Sequence, residues 1–285
     1  MRYSGDMPEI LRYAAFTDRS EGGNPAGVVL DAHGLDDAAM QTIAAEVGYS
    51  ETAFLTEATE GALAVRYFTP KTEVTFCGHA TIALGVALAE RRGAGPLALD
   101  TRAGRVDVLT RDGPTGVQAT LTSVEPYVDP VAEADVRETL FSLGWVPADL
   151  DPDLPSRVAY AGARHLILGV LSRERLAELD YDFDRLRAIM RSRDWTTVAL
   201  VHRRDATTFD TRNPAPAIGI LEDPATGAAA AAFGAYLREL ELIDPPAELT
   251  LHQGDDLGRP SVLHVEVPAG QDSGVRVRGG AVVIS

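Results

Sequence analysis

The sequence predicts an α/β (α+β) chain of two similar domains, each a β-sheet rolled around one central helix. Three observations point there. The 285 residues suit two domains of ordinary size better than one or three. Short β-like runs and helical patterns alternate along the whole chain, with no low-complexity tail. A segment of the first half, Glu73 to Glu90, also returns in the second as Glu222 to Glu239.

Taken in order, period and punctuation place a strand at Glu9 to Phe16, a Gly/Asn/Pro turn at Gly22 to Pro25 and a strand at Gly27 to Leu30. A helix follows from about Asp36, with Leu35, Met40, Ile43, Ala44 and Val47 on one face, and Gly48 stops it. β-like runs at Thr52 to Leu55 and Leu63 to Phe68 precede a small-residue helix from His79 to Arg91. Strands at Leu97 to Asp100 and Arg105 to Leu109 complete the first half. Val124 to Pro130, with two prolines and no periodic face, reads as a linker. Beyond it come helices at Ala132 to Leu143, Arg173 to Leu179 and Asp184 to Ser192, and strands at His165 to Val170 and Thr196 to Val201. An Ala-rich helix from Gly227 to Leu240 and three closing strands finish the chain.

Composition excludes several chemistries. A net charge of −16 argues against nucleic acid as a partner, because phosphate contacts need clustered Lys and Arg. Cys77 is the only cysteine and Lys71 the only lysine, so disulfides and thiolate metal cages within one chain are ruled out. Lys71, in the turn-like stretch TPKTE, is a poor Schiff-base candidate. The other histidines, His33, His165, His202, His252 and His264, show no metal-ligand spacing, so no metal is expected. No signal-peptide pattern and no run of about 18 apolar residues is visible, so the expectation is a cytoplasmic protein with no membrane partner.

The repeat carries more weight than any single motif. Seven of its eighteen positions are identical, including the pairs Glu73/Glu222, Gly78/Gly227, Gly85/Gly234 and Leu88/Leu237. Each copy sets a turn before a helix of Ala and Gly, whose low bulk lets strands pack closely around it. Two such domains face to face would direct two helix N-termini, with their unpaired N–H groups, at one small carboxylate.

At these residues the sequence resembles the PhzF-like family, named for the isomerase of phenazine biosynthesis, within the diaminopimelate epimerase and proline racemase superfamily. The matching motifs are Phe16-Thr17, Gly23-Asn24-Pro25-Ala26, Ser50-Glu51-Thr52 ending in Phe54, Phe68-Thr69-Pro70 with Glu73-Val74, Cys77-Gly78-His79-Ala80-Thr81 and Glu222-Asp223-Pro224-Ala225-Thr226-Gly227. The resemblance implies a diaminopimelate epimerase-like fold. An N-terminal domain over 1–125, completed by a C-terminal strand over 279–285, would stand beside a C-terminal domain over 126–278. It further implies an active site between the domains, a homodimer, and a cofactor-independent isomerisation of a small carboxylic acid by proton abstraction and return.

By position Glu51 matches the family's general base, and His79 and Asp223 match polar residues of the site. Asn24, Gly78, Gly227 and Ala228 fall at substrate-binding positions. Two departures stand out. The family usually has Ser where Ala228 stands, and an aromatic residue near Pro214 in TRNPAP, so a substrate different from that of the phenazine enzyme is expected.

Read without the resemblance, each residue also has an ordinary explanation. Glu51 is either a base entering a desolvated cleft ahead of Ala53-Phe54-Leu55 or a loop glutamate. His79, at a helix start where the dipole disfavours the imidazolium, is either a proton donor or a helix-start histidine. Asp223 either holds a substrate amine or hydroxyl, or caps a helix. Gly48-Tyr49-Ser50-Glu51-Thr52 lacks the second Gly of a nucleophile elbow, and Gly93-Ala94-Gly95 lacks a dinucleotide-binding context. Two other functions compete with the one-base isomerase: a racemase or dehydratase using Cys77, and a non-catalytic small-acid binder, suggested by Ala228.

Overall fold

A computed structural model describes residues 8–59, 61–270 and 273–284, with the side chains of 58 and 59 excepted. Residues 1–7 and 285, which the expected first domain and closing strand include, lie outside the described residues. Two compact units divide the chain. The first comprises the described residues up to Thr122 together with those from Arg278 onward, and the second is Ser123–Val277.

In the first unit the elements are β1 (Leu11–Ala15), β2 (Asn24–Val29), α1 (Asp37–Val47), β3 (Glu51–Thr59), β4 (Ala62–Phe68), the two-residue β5 (Glu73–Val74), α2 (Gly78–Arg92), β6 (Pro96–Thr101), β7 (Gly104–Gly113) and β8 (Gly116–Thr122). β2 runs parallel to β3 and β4 parallel to β6, while β1–β2, β3–β4, β6–β7 and β7–β8 are antiparallel. The chain's last strand, Arg276–Val283, lies beside β8 and pairs antiparallel with β1, Tyr13 opposite Val283 and Ala15 opposite Ala281. That closes a mixed barrel and leaves those strands no unpaired edge. Inside it α2 packs against β1, β2, β3, β7 and β8, and every residue from His79 to Ala89 is buried. A helix apolar on all faces has no solvent side, as enclosure requires. Outside, α1 is capped by Asp36, whose carboxylate accepts from the Ala39 N–H at 2.8 Å, and ends at Gly48 in the left-handed region. Its Met40, Ile43, Ala44 and Val47 cover Val29, Phe54 and Phe68.

The second unit contains β9 (Tyr127–Pro130), α3 (Glu133–Leu143), β10 (Arg157–Tyr160), β11 (Arg164–Gly169), α4 (Arg173–Ala177), α5 (Phe183–Arg193), β12 (Thr197–Arg203), β13 (Thr208–Arg212), α6 (Gly227–Glu239), β14 (Ala247–Gln253) and β15 (Ser261–Val267). Its strands follow the order β9-β10-β11-β12-β13-β14-β15, with β11–β12 and β13–β14 parallel and the rest antiparallel. The enclosed helix is α6, against β9, β10, β11 and β15.

Three expectations need correction. Four of the seven residues of the expected linker, Tyr127–Pro130, form a strand paired with β10; it ends its strand order, where proline is tolerated because one edge needs no donor. β2 begins at Asn24 rather than Gly27, because Asn24 and Pro25 pair with Ala15 and Ala14. β5, β8, β10 and β13 have no counterpart in the sequence reading; β8 is the return arm of a hairpin that places Gly113 opposite Gly116.

The repeated glycines show why the two central helices are alike. A Cβ at Gly85 would lie 3.3 Å from Ala119 and Val108 and 3.5 Å from Thr110, on β7 and β8. A Cβ at Gly234 would lie 2.9 Å from Val265, 3.0 Å from Val267 and 3.1 Å from Val275. We expect Gly234→Ala to destabilise the protein by about 1–2 kcal/mol, because overpacking there outweighs the roughly 1 kcal/mol that alanine gains as a helix former. Gly85→Ala, with looser contacts, should stay within about 1 kcal/mol of the wild type in denaturant unfolding.

A buried polar chain crosses the second unit. His165 Nδ1 donates to Thr197 Oγ1 at 2.8 Å, and that hydroxyl donates to Asn213 Oδ1 at 2.9 Å. Burial depresses His165 from 6.5 to about 3, so the folded protein keeps the ring neutral where an unfolded chain would protonate it. The unfolded state therefore binds the extra proton, and the contribution is complete above pH ~6.5 and lost at about 1.4 kcal/mol per pH unit as pH falls toward 3. His165→Asn, which can still donate to Thr197, should remove this part of the slope of unfolding free energy against pH. An unchanged slope would assign it to the carboxylates.

Candidate active site

Three element starts meet at one end of α2: Asn24 opens β2, Glu51 opens β3, and Cys77 precedes the first helical residue Gly78. Parallel pairing sets Glu51 beside Ala26. Gly23, at φ 66, makes the turn into Asn24, and a Cβ there would sit 2.4 Å from the Ala15 carbonyl oxygen. The helix start is pinned from inside the barrel. Tyr67 donates to Thr81 Oγ1 at 2.6 Å, and Thr81 donates to the Cys77 carbonyl at 2.7 Å. Burial pushes the Tyr67 phenol well above its usual range, so it stays a donor.

His79 is the hub. Its Nε2 lies 3.3 Å from Glu51 Oε2 and 3.3 Å from Ser50 Oγ, while its Nδ1 lies 3.2 Å from Asn24 Nδ2 and 3.4 Å from Cys77 Sγ. An amide nitrogen can only donate, so Nδ1 accepts and the ring proton sits on Nε2, facing the carboxylate. The His79 side chain is 8% exposed and that of Glu51 17%, so a buried donor holds a carboxylate that solvent or a ligand can reach. The first N–H groups of α2 have no partner within the helix. A Cβ at Gly78 would meet nothing within 4 Å, so its missing side chain leaves space rather than serving packing.

A second cluster lies within the second unit. Asp223 is buried and its Oδ2 accepts from Thr226 Oγ1 at 2.6 Å. Gln253 Nε2 donates to the Asp223 carbonyl at 2.6 Å, its Oε1 accepts from the Thr226 N–H at 3.1 Å, and the Asp223 N–H donates to the Asn213 carbonyl at 3.0 Å. The carboxylate therefore binds the hydroxyl of the residue that precedes α6. Gly227 and Ala228 are the first two residues of that helix.

Both loops leading to the central helices are clamped alike. Arg66 donates from Nε and Nη2 to Glu73 at 2.7 and 2.6 Å, and Arg212 donates from the same two nitrogens to Glu222 at 2.9 and 2.6 Å. Two parallel charge-assisted bonds fix direction as well as distance. The glutamates paired by the repeat thus do the same work.

The structure gathers Asn24, Glu51, Gly78 and His79 into one group, and Asp223, Gly227 and Ala228 into another. Sequence reasoning passed over Ser50, Asn213 and Gln253. Ser50 adjoins Glu51 in a matching motif and was within reach; Asn213 and Gln253 carry no local signal, being joined to their partners by strand pairing. The same end of α2 also brings Glu51, Cys77 and His79 together as potential metal ligands, which histidine spacing alone did not reveal.

No described helix is long and apolar enough to cross a membrane. The family model of phenazine biosynthesis-like proteins, PhzC-PhzF, matches residues 13–285. A protein of Escherichia coli O157:H7 named as an uncharacterized isomerase, YddE, is 32% identical over 97% of this chain and 96% of its own. The crystal structure of the PhzF-family phenazine biosynthesis protein of Bacillus anthracis superposes with a TM-score of 0.89 at 27% identity, over 97% of this chain and 96% of that one. A structure from Pseudomonas aeruginosa titled a predicted epimerase gives 0.85 at 28% identity, over 98% of both chains. With the model spanning nearly the whole sequence and the fold shared, the chain belongs to the PhzC-PhzF family of phenazine biosynthesis-like proteins.

Proposed function

We propose that this protein is an isomerase that moves a proton within a small carboxylic acid, with Glu51 as the base and no cofactor. The observation that supports it most is the orientation of His79. Its Nε2–H faces Glu51 because Asn24 donates to Nδ1, so one carboxylate oxygen is held while the other is left for substrate. Glu51 removes a proton from a carbon made acidic by an adjacent activating group and returns it to another carbon. His79 and Asn24 are positioning residues for that carboxylate. The N–H groups at the start of α2, with open space at Gly78, suit the substrate's carboxylate. Asp223, with Thr226, is assigned to a substrate amine or hydroxyl, and Ala228 in place of the family's usual Ser takes one donor from that subsite. The reading includes the homodimer that the resemblance implies.

The contact of Cys77 Sγ with His79 Nδ1 favours a second reading in which the thiol is the acid/base group. A stereoinverting thiol mechanism needs a second carrier, and Asp223 to Ala228 contains no cysteine.

Solvent-deuterium incorporation into a panel of amino, hydroxy and unsaturated cyclic acids separates these readings. Glu51→Gln should lower exchange at least ~100-fold, the low end of general-base contributions. Cys77→Ala should stay within about tenfold, or ~1.4 kcal/mol of barrier. A folded but inactive alanine variant, protected by substrate from iodoacetamide in its wild-type form, would replace the one-base reading with the thiol one. Asp223→Asn should raise KM more than it lowers kcat, as expected of a residue that binds rather than reacts.

A further inference from the structure

The geometry points to a transition-metal site formed by Glu51, Cys77 and His79, at which Zn²⁺ binds and by binding silences the base. Each residue offers one ligand atom, and the three atoms lie within 4.8 Å of one another. Around a tetrahedral Zn²⁺, bonds of about 2.3 Å to sulfur and about 2.0 to 2.1 Å to nitrogen and oxygen put neighbouring ligand atoms roughly 3.3 to 3.6 Å apart. Nε2 of His79 lies 3.3 Å from Glu51 Oε2 and 3.8 Å from Cys77 Sγ. Rotation of the partly exposed Glu51 side chain closes the remainder. The donor set of thiolate, imidazole and carboxylate suits Zn²⁺ or Co²⁺ and is poor for Mg²⁺ or Ca²⁺, which take oxygen ligands.

The surroundings supply what such a site needs. For Nε2 to bind, its proton must leave and Nδ1 must carry one instead. Asn24 meets that change by turning its amide, so that Oδ1 accepts from Nδ1–H in the way an outer carbonyl orients a zinc histidine. Cys77 releases its thiol proton to solvent, and the imidazole merely exchanges tautomer, so one proton leaves per metal bound. Three protein ligands leave a fourth position for water. Coordination occupies the Glu51 carboxylate and removes the proton on Nε2 that holds it, so metal occupancy and proton transfer exclude each other. The inhibitory half of the inference rests on the proposed function; the binding half does not.

Co²⁺ titration of the full-length protein reads binding directly, because a thiolate ligand gives a sulfur-to-cobalt charge-transfer band in the near ultraviolet. We expect that band to saturate at one Co²⁺ per chain. It should disappear in Cys77→Ser, weaken in apparent affinity at least about tenfold in His79→Gln, and be unchanged in His33→Ala, an exposed histidine elsewhere. Far-ultraviolet circular dichroism of each variant separates lost ligation from lost folding. Zn²⁺ should bleach the band and stop deuterium exchange, and EDTA should restore exchange. A chain that gives no band, or a band indifferent to His79→Gln, overturns the site. Exchange that continues at saturating Zn²⁺ overturns its inhibitory role. A band from protein that exchanges no acid even in EDTA keeps the site and removes the proposed isomerase instead, whereas exchange in EDTA without any band does the reverse.

Discussion

A helix packed inside a sheet has no solvent side and, where the strands press closest, no room for a side chain, and the organisation of both units follows from that constraint. In α2 the buried residues mix Ala, Gly and Thr with Ile82, Leu84, Val86 and Leu88, and at Gly85 even a methyl group would press on β7 and β8. Gly234 is tighter still, against valines on three sides. Such close approach fixes the helix lengthwise as well as laterally, because the strand starts and the helix start then have one mutual position. Asn24 and Glu51 lie at the beginnings of parallel neighbours, so both reach the first turn of α2, where His79 stands. A bulkier helix would sit farther from the sheet and separate the imidazole from its carboxylate. The packing rule and the site geometry are therefore one fact.

The two copies keep this scaffold and differ in what they mount on it. Glu73 and Glu222 each receive a bidentate arginine, and each lies on the approach to its helix. The residues directly before the two helices, Cys77 and Thr226, occupy equivalent positions yet serve different groups: the thiol meets an imidazole, and the hydroxyl donates to Asp223. One residue after the shared glycine, His79 in the first copy stands where the second has Ala228. Duplication with retained clamps and exchanged side chains yields two polar clusters of different chemistry on one architecture.

What could be read from the sequence follows the range of the forces involved. α1 was legible with its ends, since Asp36 and Gly48 act within a few residues of the helix they bound. The central helices were legible because enclosure leaves a compositional mark, and the repeated glycines gained their meaning from it. Glu51 and His79 were legible through ordered motifs, though only the structure shows them in contact. β9 was not legible, because a short edge strand that ends on one proline and follows another looks like any connector until Arg157 to Tyr160 is seen beside it. Gln253 illustrates the same limit in the site. It binds Asp223 and Thr226 only because β14 lies parallel to β13, a pairing that joins residues far apart in the chain.

The state of His79 depends on an uncharged neighbour. With the Asn24 nitrogen turned toward it, Nδ1 must accept, and the Nε2 proton goes to Glu51. With the amide turned the other way, Nδ1 must donate, Nε2 presents a lone pair to the carboxylate, and the hydrogen bond between them is lost unless a proton or a cation takes its place. A protonated Glu51 carboxyl supplies that proton itself, donating to the lone pair through its O–H. The Asn24–His79–Glu51 chain can thus accommodate both protonation states of Glu51 by turning one amide. A histidine held between two carboxylates would become a fixed cation instead, and a histidine with solvent on one side would exchange tautomers freely. Placing a buried amide opposite Glu51 gives the ring two defined hydrogen-bonded arrangements, and these match what the proposed isomerase asks of a group that accepts and returns the same proton.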